Sequence, residues 1–380
     1  MIAVRALGTL LIGSLVAIIL AGSARAANEV IIYSFGKVRG DGKNPSAGLI
    51  GVGGTLYGTT LYGGIYGKGA VFSVKGTGVE NVLHSFGNGN DGAHPANGLI
   101  NVDGTLYGTT TASAPTGRGT VFSVTLSGTE RVLHVFGLGK DGAVPGATLI
   151  NLGNTLYGTT FDGGALDKGT VFSLTTAGAE TVLHSFGSGN DGSYPYAGLV
   201  VVDGTLYGTT EDGIYNAGAV FKVTTAGVET VLHSFSFYND GQYPLAGLIN
   251  VGGILYGTTQ AGGSGSTSSG TVFRVTTAGA ENVVYNFVNG KNYEDGYYPT
   301  AGLVDVDGTL YGTTEYGGTY NGGTVFSVTT AGVEKVLYSF GNGSDGYYPA
   351  AGLVHIGNAF YGTTQQGGEY GFGTIFKVTP

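Results

Sequence analysis

Seven Asp-Gly-x-x-Pro motifs, beginning at Asp41, Asp91, Asp141, Asp191, Asp240, Asp295 and Asp345, carry the most regular chemistry-bearing groups in this 380-residue chain. A carboxylate beside a glycine can cap backbone amides in a turn, or it can coordinate a hard cation such as calcium. Each motif supplies one carboxylate, although Asn88, Asn90 and Asp91 crowd one of the loops, and calcium asks for about six to eight oxygens. The expected role is therefore a turn, in which Asp bonds to nearby amides, Gly supplies a positive φ and Pro halts the loop. Histidines 84, 134, 184 and 233 recur at one position of the pattern that Tyr33, Tyr285 and Tyr338 occupy elsewhere. A metal or catalytic role does not survive that replacement, so these histidines read as packing residues. His94 and His355 lie outside this register and have no paired carboxylate or nucleophile nearby. Neither a Ser-His-Asp grouping, a zinc spacing, a phosphate loop nor a dinucleotide fingerprint is present. The sequence thus assigns no catalytic residue, no metal ligand and no cofactor.

Tyrosine is the other conspicuous group, with 25 copies and no tryptophan. Flat rings bearing a hydroxyl, interspersed with Asp, Asn and Gln, suit sugars or the surface of another protein. The densest set predicts a binding site formed by Tyr293, Asp295, Tyr297, Tyr298, Glu315, Tyr316, Tyr320, Asp345, Tyr347 and Tyr348. The competing reading is that such rings merely cover structural junctions.

The elements that must position these residues are set by a repeat. Leu/Phe-Tyr-Gly-Thr-Thr occurs seven times, with Tyr at 57, 107, 157, 207, 256, 311 and 361. A period near 50 belongs to propellers or stacked arrays. Each unit contains four β-rich runs separated by Gly-rich turns: strand A (47–52 in the first unit), strand B (55–60), strand C (69–74) and strand D (80–86). Glu29 to Phe35 matches a lone strand D at the start, whereas the last unit stops after its strand C. The two ends complete each other, as a closed ring requires and an open solenoid does not. The expected fold is an all-β, seven-bladed β-propeller with four antiparallel strands per blade, in which the N-terminal strand completes the last blade. Antiparallel order places the short, uniform A–B and C–D turns on one face and the long, varied B–C and D–A connections on the other.

Leu-Tyr-Gly-Thr-Thr, Gly-Gly, Gly-Thr-Val-Phe-Ser-Val and Val-Leu-His-Ser-Phe within one period resemble the GloVer repeat of bacterial exported, choice-of-anchor tandem-repeat proteins. That resemblance covers essentially the whole repeated region and implies an extracytoplasmic location. It brings no assigned catalytic residues. The Gly-Gly after strand B, as in Gly63-Gly64 and Gly317-Gly318, is also loosely similar to kelch blades.

Residues 1–26 read as a secretory signal peptide: Arg5, an apolar run from Ala6 to Ala21, and the small-x-small pattern Ala24-Arg25-Ala26. A membrane span needs about 20 apolar residues, more than this run offers. Residues 27–380 form the expected single domain, a monomer secreted to the periplasm or cell exterior with no membrane span after cleavage. Loss of Arg5 and Arg25 takes the formal charge from −9 to −11, which disfavours nucleic acid and anionic membranes as partners. The chain has no cysteine, so its stability must come from a large core rather than disulfides. The expected function is binding of a carbohydrate or protein partner through the variable face, without catalysis. A propeller enzyme acting on glycans, lyase or hydrolase, and a structural cell-envelope protein are the alternatives.

Overall fold

A computed structural model of the chain describes residues 27–113, 116–137, 140–236, 240–264, 269–287 and 295–380; the leader read at residues 1–26 lies outside them. Among the described residues every regular element is a strand; apart from short strands in the connections, they form seven antiparallel blades with spatial order A-B-C-D. In blade 1 the strands are Ile50–Val52, Thr55–Thr60, Ala70–Lys75 and Glu80–Ser85. Strand A is shorter than the sequence suggests. Its first predicted residues, Ala47 to Leu49, converge instead on the propeller axis, where a Cβ on Gly48 would stand 3.3 Å from the carbonyl oxygen of Gly352 in blade 7.

Blade 7 takes strands A to C from Val354–Ile356, Ala359–Thr364 and Thr374–Thr379, and its strand D is Asn28–Ser34. Asn28 pairs with Thr379 and Ser34 with Thr374. The closure expected from the mismatched ends is therefore the one the molecule uses.

The repeated pentapeptide is explained residue by residue. Leu56 is buried. Gly58 is required because a Cβ there would meet Phe72 Cζ at 2.7 Å and Leu49 Cδ2 at 2.8 Å. Thr59 donates through Oγ1 to the carbonyl of Asn97 in the next blade at 2.9 Å, and Thr60 to that of Tyr62 in its own B–C loop, also at 2.9 Å. One motif thus fills a blade, ties it to its neighbour and fixes a loop.

The core lies between blades rather than within any one of them. Tyr57, Val71 and Phe86 of blade 1 pack with Leu99, Leu106, Phe122 and Val124 of blade 2 in one buried cluster. At all seven junctions the Phe that ends strand D meets the Phe of the next strand C, beginning with Phe35–Phe72 at 5.0 Å and ending with Phe340–Phe376 at 4.8 Å between ring centroids. Such aromatic pairs add to plain area burial, and their repetition makes each blade's core depend on the blade beside it.

Candidate binding site at the channel mouth

The D–A connections carry the motif aspartates and Tyr298, Tyr347 and Tyr348 on the variable face. Positive φ falls on the residue before each proline, Asn44, His94, Val144, Tyr194, Tyr243, Tyr298 and Tyr348, and on the motif glycine in only four cases, Gly92, Gly192, Gly241 and Gly346. The expectation from sequence, that the motif glycine supplies the positive φ, holds only at those four. Close approach is what requires Gly42, since a Cβ there would lie 2.5 Å from Thr60 Cγ2. The left-handed residue is held from both sides: Tyr298 N–H donates to the Ser269 carbonyl of blade 5 at 3.0 Å, and its own carbonyl accepts from Glu315 N–H of blade 6 at 3.1 Å. These bonds stabilise a backbone region that β-carbon-bearing residues rarely enter and carry the connection across the blade junction.

The motif aspartates have a second fixed partner. His84 Nε2 lies 3.0 Å from Asp91 Oδ2, and the same contact recurs for His134–Asp141, His184–Asp191 and His233–Asp240. Where tyrosine replaces histidine, its hydroxyl donates to the aspartate instead: Tyr33 to Asp41 at 2.9 Å, Tyr285 to Asp295 at 2.8 Å and Tyr338 to Asp345 at 2.8 Å. Asp91 Oδ1 and Asp345 Oδ1 also accept from the N–H groups of Gly87 and Gly341, as the turn reading expects. The histidines do pack edge-on against the strand-D phenylalanines, as in His84–Phe86 at 4.7 Å, but packing is only half of their contacts.

A cavity of about 530 Å³ opens at the axis where all seven connections converge. Its inner ring is Gly48, Gly98, Thr148, Gly198, Gly247, Gly302 and Gly352, and the hydroxyl of Thr148 accepts from Gly98 N–H at 3.0 Å. Polar side chains on the lining include Asn44, Ser46, Asn97, Thr300, Glu315 and Gln365. Asn97 is committed, donating to Thr109 Oγ1 at 3.0 Å and to the Pro145 carbonyl at 2.9 Å. The buried Thr300 Oγ1 has no hydrogen-bond partner. Glu315 is the carboxylate of the lining; burial holds its proton above the usual glutamate range, and the Tyr316 hydroxyl opposes that shift. Tyr316 in turn is pushed up to about 12 by burial and by Glu315.

Beside Glu315 the predicted tyrosines gather into one aromatic group. Tyr297 stacks on Tyr316 at 5.5 Å with 17° between planes, Tyr298 meets Tyr297 edge-on at 5.1 Å, and Tyr348 meets Tyr316 at 5.0 Å. Tyr347 lies 6.2 Å from Tyr348. Tyr298 is the ring most open to solvent within this group, at 38% exposure. Asp295 and Asp345 are held by Tyr285 and Tyr338 as described, and exposed Tyr320 lies apart, against Gly341. Tyr293 falls outside the described residues.

A second aromatic group occupies the junction of blades 3 and 4. Phe161 stacks on Tyr194 at 4.9 Å and meets Tyr196 edge-on at 6.0 Å, while Tyr196 is 46% exposed and lines the axial cavity. Lys168 Nζ sits 4.3 Å above the Tyr194 ring, and Glu211 is close enough to raise the Tyr196 hydroxyl's proton affinity beyond the effect of burial. This group is not among the residues expected from the sequence. Its signal was available in the residue that follows each Tyr-Gly-Thr-Thr, which is Leu61, Thr111, Phe161, Glu211, Gln260, Glu315 and Gln365 in turn, a rim position that varies while the rest of the strand repeats.

The family model of the Gloeobacter/Verrucomicrobia repeat matches residues 18–165 and 263–380. The chain belongs to that repeat family. Its member described here has no match among curated proteins. Solved structures similar to this repeat protein include a lectin from Burkholderia pseudomallei, at 13% identity and TM-score 0.55, with 89% of this chain and 96% of the lectin covered. An ancestral GH74 enzyme is similar at 11% identity and TM-score 0.56, over 89% of this chain and 48% of that one. A puromycin hydrolase is similar at 13% identity and TM-score 0.50, over 84% and 50%. The repeat protein thus spans about half the length of these two enzymes. At such identities the likeness concerns the propeller scaffold, which hosts both binding and catalysis.

Proposed function

We propose that this exported propeller binds a carbohydrate at the axial cavity of its variable face and performs no chemistry on it. The observation that carries this reading is the pairing of a cavity that carries polar side chains with two aromatic groups beside it: Tyr196, which lines it, with Phe161 and Tyr194, and Tyr298–Tyr297–Tyr316, whose Tyr316 follows the lining residue Glu315. Sugar rings present apolar C–H faces that stack on such side chains, and their hydroxyls are met by Glu315 and Gln365. A volume of about 530 Å³ suits one or two sugar units. The competing reading is a glycan hydrolase with Glu315 as its acid, favoured by the raised proton affinity of that carboxyl. Glycoside hydrolysis ordinarily needs two carboxylates about 5 to 9.5 Å apart, and among the described residues the cavity lining contains one.

A glycan array followed by titration of the best binder tests the proposal. Tyr298→Ala and Tyr196→Ala are expected to weaken binding about tenfold or more each, by the usual worth of an aromatic anchor, with the melting temperature unchanged. Absence of any glycan binding, or binding indifferent to both substitutions, refutes it. Product release that Glu315→Gln abolishes establishes the hydrolase instead. Export is tested by N-terminal sequencing of the secreted chain, which is expected to begin at Ala27.

A further inference from the structure

We infer that two blade junctions are binding sites for a divalent first-row transition ion of the zinc type: His134, Asp141 and Glu180 between blades 2 and 3, and His233, Asp240 and Glu281 between blades 4 and 5. In each trio the donor atoms lie within 4.8 Å of one another. The histidine comes from strand D of one blade, the glutamate from strand D of the next, and the aspartate from the connection between them. An ion there would fasten neighbouring blades at their outer edge.

Three observations converge. His134 Nε2 lies 2.9 Å from Asp141 Oδ2, and His233 Nε2 lies 3.0 Å from Asp240 Oδ2, distances at which one ion can take both atoms once the imidazole hydrogen resides on Nδ1. Glu180 Oε1 and Glu281 Oε1 are buried and have no hydrogen-bond partner, which is costly for a carboxylate that no cation meets. A cavity of about 390 Å³, lined by His134, Asp141 and Glu180, gives access to the first trio. One imidazole nitrogen with two carboxylates suits zinc and its first-row neighbours, whereas calcium selects more numerous and purely oxygen ligands.

The molecule supplies its own controls. Glutamates with a buried, unpartnered Oε1 occupy all seven junctions, so the orphan oxygen alone does not define the site. At three junctions the third group is Tyr33, Tyr285 or Tyr338, a phenol that gives its hydrogen to the aspartate and offers no free imidazole lone pair. Among the described residues only the two junctions named bring His, Asp and Glu donors within the stated distance. Lys140 also lines the first cavity, and its ammonium competes with an ion, so the junction of blades 4 and 5 is the tighter of the two. The interchange of His with Tyr, which on sequence argued against a metal, here removes the three tyrosine junctions; the His84 and His184 junctions keep the His–Asp contact but do not bring their three donors within the stated distance.

The test is calorimetric titration of the chelator-treated, purified chain with zinc chloride, with calcium chloride as comparison. Two zinc ions per chain are expected and no saturable calcium uptake at these junctions. His134→Tyr and His233→Tyr should each remove one ion and the double variant both. Because the chain uses tyrosine at this position elsewhere, the variants are expected to melt like the parent when chelator is present. A single ion lost only with His233→Tyr supports the second junction and removes the first. No saturable zinc uptake, or uptake that survives the double variant, overturns the inference.

Discussion

At the scale of single residues, the partner of each motif aspartate decides what can be changed. An imidazole Nε2 and a phenol oxygen reach the same carboxylate at 2.8 to 3.0 Å. His84→Tyr is therefore expected to leave stability within about 1 kcal/mol of the parent, whereas His84→Leu, which strands the largely buried Asp91, should cost about 1–3 kcal/mol in urea unfolding. Equal midpoints for the two variants would refute the pairing. Gly58→Ala should likewise cost about 1–3 kcal/mol by overpacking, because the added methyl meets both Phe72 and Leu49. The register of these residues was legible in the sequence, but their meeting was not: six residues of strand end and loop lie between His84 and Asp91, and no local pattern states where that loop returns. Interchange of His and Tyr looked like absence of a role because the common reach of the two side chains appears only once the loop has a shape.

Whole strands were the most readable level, since a period near 50, alternation within each strand and the complementary chain ends specify a ring before any coordinates are known. Removing residues 28–35 tests that ring directly. The deletion takes away Phe35, which is fully buried against Phe72, and the six paired positions along strand C of blade 7. Loss of the Phe side chain alone costs about 3–5 kcal/mol, so the truncated chain should melt far lower, or not fold; a melting curve matching the parent's would sink the closure. The site was legible only in part. Tyr297, Tyr298, Tyr316 and Tyr348 belong to the dense tyrosine stretch and do come together, whereas Phe161 and Tyr196 lie 35 residues apart by number and meet only because strand B of blade 3 ends beside the connection entering blade 4.

Over the whole molecule, the same acidic pair is set at every junction. Glu29, Glu80 and Glu334 are raised from an ordinary value of 4.5 to about 7, first by burial and then by Asp345, Asp41 and Asp295 of the preceding connections. A carboxyl that holds its proton more tightly in the folded chain stabilises the fold below the unfolded value and withdraws that stabilisation as pH climbs through about 7. Burial of His84 lowers its proton affinity and opposes the trend on the acid side. The melting temperature should accordingly fall between pH 5 and pH 8, and Glu→Gln at positions 29, 80 and 334 should flatten that decline; a profile flat or rising in the parent would contradict it. The pairing of Asn28–Ser34 with Thr374–Thr379 also governs the order of events during folding. Blades 1 to 6 are each contiguous in sequence, but the strand Asn28–Ser34 must wait for its partner Thr374–Thr379, some 340 residues later. Its two chain ends have to find each other across a long loop, a step with a large entropic barrier. Completion of blade 7 is thus the natural slow phase of folding, and a chain stalled a few residues short of its end keeps its first strand unclaimed.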